Sequence, residues 1–127
     1  MRVVTLDDWN KADIVAKYKV WGQSRNVFRG WTKAEILIIL VATEGAIVGV
    51  VSGAASRSAL MIWSNELYEW RLPLEDIRRY DGAAGEELNR GVRKALLDAY
   101  GPKYGFTMLN QQRLNEEAEA AITILLK

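Results

Sequence analysis

The stretch EILIILVATEGAIVGVVS, residues 35–52, decides the fold of this chain. Residues 35–42 form an apolar run of strand length and high β-branched content, which predicts a strand buried on both faces. Residues 43–45 have the composition of a turn, and residues 46–52 predict a second strand, so the pair is expected to form a β-hairpin. Gly49 within the second strand indicates a bulge or a close approach by another backbone.

Helical patterns lie on both sides of this hairpin. Helices are predicted near residues 8–18, 86–99 and 115–126, the first capped by Asp7 or Asp8 and the last by Asn115. Residues 68–72 are expected to join the sheet. Less regular stretches predict a loop at 19–33, short strands at 3–5, 60–63 and 106–109, a helical turn at 76–80 and a glycine-rich break at 81–85. This order predicts an α+β domain with a curved mixed or antiparallel sheet.

Length and composition favour one domain, 1–127, without catalytic chemistry. The chain has 127 residues, of which 50% are hydrophobic and 26% charged, a globular balance. It has no cysteine and no histidine, which removes disulfides, thiolate metal sites and every Ser-His or Cys-His arrangement. No paired-carboxylate nuclease motif, Walker-type loop or dinucleotide fingerprint is visible. We therefore expect no enzyme, no metal and no cofactor.

The N-terminal sequence does not resemble a signal peptide, because MRVVTLDDWN becomes acidic before any apolar stretch develops. The longest strongly apolar run, residues 36–42, is far shorter than the roughly 20 residues of a membrane span. A cytoplasmic protein with no membrane partner is the expectation.

Basic residues are concentrated in one part of the chain although the formal net charge is only +1. Residues 14–34 contain no acidic side chain and five basic ones, namely Lys17, Lys19, Arg25, Arg29 and Lys33. Such a stretch is a candidate surface for phosphate contacts around the mouth of a binding pocket. The alternative is a solvated surface that happens to be basic.

Tryptophan is frequent, with five in 127 residues. Trp21 lies in the basic stretch, and Trp63 is followed by Tyr68 and Trp70. Aromatic rings near a basic surface can stack on an unpaired base. The alternative is that each ring covers the core, which we expect for Trp70.

Several segments together resemble a YTH domain and, equally, its microbial relative, the EVE domain of the PUA-like superfold. The resemblance spans about residues 3–80. Its motifs are KYKVWG (17–22), Phe28-Arg29, the strand 36–41, IVGV (47–50), MIW (61–63) and WSNELY (63–68).

This resemblance implies an open barrel or curved sheet flanked by helices, and a protein that binds modified bases. In YTH domains an aromatic cage encloses the methylamino group of N6-methyladenine, and other members of the superfold bind methylated cytosine. The implied cage consists of Trp21 and Trp63, with Leu67 or Tyr68 as third wall and the Gly22 backbone beside the base. Asp7, Asp8 and Lys11 match positions that bond the base edge. As cage walls, the tryptophans are expected to be partly solvent-facing.

The function predicted from these features is non-catalytic binding of a modified nucleobase in DNA or RNA, with N6-methyladenine favoured and 5-methylcytosine next. One alternative is a specificity or interaction module of a restriction or RNA-processing assembly, such as the N-terminal domain of a McrB-type restriction system. An enzyme that acts on nucleic acid and a protein scaffold are further alternatives. The sequence does not decide whether the bound nucleic acid is DNA or RNA.

Overall fold

The computed structural model describes residues 1–63 and 66–127. Ser64 and Asn65, in the middle of the WSNELY motif, lie outside the described residues. Within the described part, strands β1 to β6 are Arg2–Leu6, Val20–Gln23, Ile36–Val41, Gly45–Val51, Ser56–Arg57 and Trp70–Tyr80. Helices α1 to α4 are Trp9–Tyr18, Gly82–Tyr100, Gly105–Leu109 and Glu116–Leu125.

The strands form one mixed sheet in the order β1-β3-β4-β6-β2, with β5 paired to β6. β1 runs parallel to β3, and every other pairing between these strands is antiparallel. The sheet curls strongly into a half-barrel flanked by the helices, as in the PUA-like superfold. The predicted α+β fold with a curved mixed sheet is therefore confirmed.

The hairpin of β3 and β4 lies at the centre of the sheet, with Ile36 opposite Val50 and Val41 opposite Gly45. The pairing of β4 with β6 shifts register between Val48 and Val50, which confirms the irregularity predicted at Gly49.

Alternate residues of β3 pack into two cores on opposite faces of the sheet. Ile38 and Leu40 join a core formed with α2 and α4, while Leu37 and Ile39 join a core that includes α1 and the aromatic residues of the next section. All four are fully buried. This two-sided burial explains why the run is apolar without alternation.

Side-chain caps fix the ends of two helices where the sequence predicts them. The Asp8 carboxylate accepts a hydrogen bond from the Lys11 N–H at the start of α1 (3.0 Å), and Asn115 accepts one from the Ala118 N–H at the start of α4 (2.9 Å). In the described part of the chain, no helix is long and apolar enough to cross a membrane.

Two segments of the sequence prediction are wrong because β6 is longer than expected. Residues 76–80 continue this strand instead of forming a helical turn, and the glycine-rich residues 82–85 begin α2 instead of a break. Pro73, which directly follows the predicted strand at residues 68–72, lies within β6. Its carbonyl accepts a hydrogen bond from the Ser52 N–H (3.0 Å), and the Leu74 N–H donates to the Lys19 carbonyl (2.8 Å), so the backbone on either side of the proline stays paired.

Three further local predictions are wrong. Residues 20–23 of the predicted loop form β2, which pairs with β6; residues 60–63 form no continuous strand, and residues 106–109 lie in α3. β2 and α3 are too short for a periodic pattern, so the pairing of β2 with β6 and the packing of α3 on β1 decide their conformation.

Candidate functional site

A cavity of about 330 Å³ opens beside the curled sheet. Its walls come from β1, α1, β2, the residues Trp63 and Tyr68, and the end of α3 with the turn that follows it. The residues that line it are Val4, Thr5, Leu6, Asp7, Lys11, Val15, Trp21, Gly22, Gln23, Trp63, Tyr68, Met108, Leu109 and Gln111. The cavity combines aromatic surface with a few polar side chains, which is the usual composition of a small-ligand site.

Trp21 and Trp63 both belong to the wall of this cavity. Each side chain is largely enclosed, since only 4% of either residue is exposed. Tyr68 packs edge-on against Trp63, with ring centroids 5.2 Å apart and planes at 82°. The structure thus brings together three of the predicted cage residues. The expectation that the tryptophans are partly solvent-facing is wrong, because both rings also pack against the core.

Gly22 allows the close packing of this aromatic wall. A Cβ added at Gly22 would lie 2.5 Å from Cη2 of Trp63 and 2.8 Å from Cβ of Tyr68. Real Cβ atoms essentially never show separations below 3 Å, so a larger residue would displace the Trp63 ring. The requirement for glycine at this position is therefore a packing requirement.

Arg71 in β6 contacts both Trp63 and Tyr68 as well as residues that precede them. The Arg71 guanidinium donates to the Tyr68 carbonyl (3.1 Å), to the Ser58 hydroxyl (3.1 Å) and to the Leu60 carbonyl. Its Cζ also lies 5.5 Å from the centre of the Trp63 ring. Because Arg71 is buried, these hydrogen bonds form away from bulk water and are strengthened there.

Polar side chains occupy one side of the cavity. The Lys11 ammonium lies 3.7 Å from the carboxylate of Asp7 and 3.7 Å from that of Glu66. Glu66 also accepts a hydrogen bond from the Tyr68 hydroxyl. This arrangement offers a ligand both hydrogen-bond acceptors and a cationic donor.

The other two residues predicted to bind the base lie outside the lining. Asp8 uses its carboxylate to cap α1, and Leu67 is 43% exposed. Trp70, for which the sequence predicts a core position, is half-buried, with the Arg57 guanidinium 5.7 Å from its ring centre.

The five basic residues of the predicted phosphate surface are all exposed, and none lines the cavity. Those residues are Lys17, Lys19, Arg25, Arg29 and Lys33. Among the described residues, they form no ion pair. Their charges are therefore not neutralised by described neighbours.

Arg2 connects the loop between β2 and β3, here called the basic loop because it carries Arg25, Arg29 and Lys33, to the cavity wall. Its guanidinium donates to the carbonyl of Gly30 in the loop (3.2 Å) and to the carbonyl of Gln111 in the wall (2.7 Å). Arg113 donates to the same Gly30 carbonyl (3.2 Å). The loop that carries Arg25, Arg29 and Lys33 is consequently anchored on the Gln111 side of the cavity.

Glu35 is the anion at the centre of this anchor. Its carboxylate lies 2.9 Å from Arg2 and 3.5 Å from Arg113 and from the N-terminal ammonium. Burial by itself raises the pKa of Glu35, but the hydrogen bond from the Thr32 N–H and the neighbouring positive charges outweigh burial and hold that pKa below its usual 4.5. Glu35 is therefore ionised at neutral pH.

Sequence reasoning missed several residues of the cavity wall, above all Gln111. This residue accepts a hydrogen bond from the Trp21 indole N–H (3.2 Å) across 90 positions of sequence. No local pattern joins such distant residues, and the turn that carries Gln111 follows a helix where the sequence predicts a strand. Thr5, Gln23, Met108 and Leu109 were also missed.

Comparison with protein-family models finds no match, and comparison with curated proteins finds no significant relative.

Proposed function

We propose that this chain is a YTH/EVE-like, non-catalytic protein that binds a modified nucleobase in an aromatic cage. The observation that carries the proposal is the joint presence of Trp21, Trp63 and Tyr68 on the wall of one cavity of about 330 Å³. This volume lies near the lower end of the range for ligand pockets, which suits one base better than a longer ligand. N6-methyladenine is the favoured base, and 5-methylcytosine is next.

The polar side of the cavity supports a base as the ligand. Adenine and cytosine each present an amino donor beside a ring-nitrogen acceptor. Asp7 supplies an acceptor and Lys11 a donor on the same wall. Stacking on aromatic rings contributes about 1–3 kcal/mol per base whatever its identity, so the polar groups and the fit of the methyl group must supply the discrimination.

The exposed basic loop supports a nucleic-acid strand around that base. Phosphate contacts of Lys and Arg supply affinity that does not depend on sequence. Since flipping is least costly for unpaired bases, single-stranded RNA or DNA is the expected form.

A binding panel tests this proposal. Labelled single strands of DNA and RNA would carry adenine, N6-methyladenine, cytosine or 5-methylcytosine at one central position, and Kd would be measured for each. Burial of one methyl group is worth about 0.8 kcal/mol, or about fourfold in Kd, and full enclosure by aromatic rings is expected to raise the ratio to about tenfold. Equal Kd values for modified and unmodified strands would contradict the proposal.

A second candidate function predicts a different result of the same panel. Modified and unmodified strands would then bind with equal Kd, and binding would be tight and sensitive to salt. The exposed basic residues without described ion pairs favour an interaction module of a cytoplasmic restriction or RNA-processing assembly that lacks selectivity for modification. If the protein binds none of these strands, both functions are excluded.

A further inference from the structure

Gln111 is held in the cavity wall by hydrogen bonds from three directions. Its backbone carbonyl accepts from Arg2 (2.7 Å), its N–H donates to the Met108 carbonyl (3.1 Å), and its side-chain Oε1 accepts from the Trp21 indole (3.2 Å). These contacts tie it to β1, α3 and β2. A residue fixed in this way presents its remaining polar atoms in one orientation.

The Trp21 indole determines which end of the Gln111 amide faces it. An indole N–H can only donate, so the amide oxygen must lie towards Trp21 and the NH2 group must lie away from it. In residues 1–63 and 66–127, no side chain or carbonyl accepts a hydrogen bond from this NH2 group. The amide therefore has two N–H donors without a described protein partner, on a residue that lines the cavity.

The backbone of Gln111 also adopts a conformation that glutamine does not favour. Its φ is +52°, in the left-handed region where glycine or asparagine fits more easily. The side chain of Gln111 therefore stands at a position where the backbone by itself favours glycine.

We infer that Gln111 is a specificity-determining residue that donates a hydrogen bond to an acceptor nitrogen on the bound base. This inference rests on the proposed function and narrows it. The preferred ligand must carry an unprotonated ring nitrogen facing Gln111, as adenine and cytosine do on their pairing edge and as guanine and thymine, which have a protonated ring nitrogen there, do not.

The test uses single strands that contain N6-methyladenine and three analogues in which a C–H replaces ring nitrogen N1, N3 or N7 in turn. With the wild-type protein, the N1 analogue is expected to bind about tenfold more weakly than the parent strand, because N1 is the acceptor on the pairing edge and the Gln111 donor loses it in an enclosed site. The N3 and N7 analogues should bind about as tightly as the parent strand. Gln111→Glu keeps an acceptor for Trp21 but has no N–H donor. In this variant the parent strand should bind about tenfold more weakly, and the sensitive analogue should cause no further loss.

Two controls separate this role from effects on charge or folding. Gln112→Glu makes the same charge change at the exposed neighbouring residue and should retain the wild-type analogue pattern. Gln111→Gly suits the left-handed backbone and should fold, yet it should lose the analogue pattern as Gln111→Glu does. If the wild-type protein prefers the modified base but Gln111→Glu keeps the full analogue penalty, the inference is wrong and the proposed function stands. If the wild-type protein shows no preference for any modified base, both are wrong.

Discussion

The backbone of Gly22 and the ring of Trp63 are in direct contact, so closely that a single added Cβ would lie 2.5 Å from Cη2 of the indole. Gly22 is in β2 and Trp63 lies 41 positions later, beyond the central hairpin. Because Tyr68 also packs against this ring, the position of Trp63 depends on both neighbours. The width of the cavity on this side is therefore set by a residue without a side chain.

Gly22→Ala is expected to displace Trp63 and to remove most of the preference for the modified base. Binding driven by phosphate contacts should change little, since the basic residues lie outside the lining. Kd for matched modified and unmodified strands measures the effect. Gly53→Ala is the control, because a Cβ there would meet only Pro73 at an ordinary 3.5 Å. Unchanged selectivity in Gly22→Ala would show that this wall does not contact the base.

Replacement of Trp21 or Trp63 by alanine should lower both stability and selectivity. Both side chains are buried, so each Trp→Ala change should cost about 3–5 kcal/mol in the free energy of unfolding. Melting temperature alone therefore does not separate a cage residue from a core residue.

The Trp→Phe variants make that separation. Phenylalanine preserves much of the packing but offers a smaller ring face, so Trp21→Phe and Trp63→Phe should remain folded and lose selectivity. Trp70→Phe, at a half-buried ring outside the cavity lining, should keep it. Selectivity that survives in both cage variants would contradict the aromatic-cage hypothesis.

Charge reversal at Arg25 and Arg29 should weaken binding about equally for modified and unmodified strands. For a single strand, the removal of each phosphate contact should reduce the slope of log Kd against log salt by about 0.7. Titrations at several salt concentrations measure this slope. Arg90→Glu, on the exposed face of α2, should leave it unchanged. The same slope in wild type and in Arg25→Glu/Arg29→Glu would show that the strand follows another path.

The sequence predicts those parts of the fold in which burial imposes a pattern. The run at Ile36–Val41 is apolar because its residues fill two cores, and Asp8 and Asn115 precede helices that they cap. Segments whose conformation depends on distant partners are not predictable in this way. β2 contains only four residues and becomes a strand through its pairing with β6, and α3 is a helix of five residues.

The same distinction applies to the candidate site. Trp21, Gly22, Trp63 and Tyr68 occur in motifs that can be identified from the sequence, and they meet in the cavity. Gln111 has no such motif, because its contact with Trp21 is created by the packing of α3 against β1. The roles of Asp7 and Asp8 can be separated only once the start of α1 is located.

The ion-pair cluster around Glu35 should make the stability of the folded protein depend on pH. The pKa of Glu35 is lower in the folded protein than its usual 4.5, so the folded state binds this proton less readily than the unfolded state. The stabilisation that the ionised Glu35 carboxylate gives the folded protein is therefore complete above about pH 4.5. It is lost as the pH falls through the lower, folded-state pKa.

At pH 7, Glu35→Gln should lower the free energy of unfolding by about 1–3 kcal/mol, because it leaves buried Arg2 without its counter-ion. Urea unfolding from pH 7 down to pH 3 should show the difference between wild type and variant shrinking below about pH 4.5. Glu75→Gln makes the same chemical change at an exposed residue of β6 and is the control for the loss of a carboxylate outside the anchor. A difference for Glu35→Gln that stays constant over this range would mean that the carboxylate charge contributes nothing to the anchor of the basic loop.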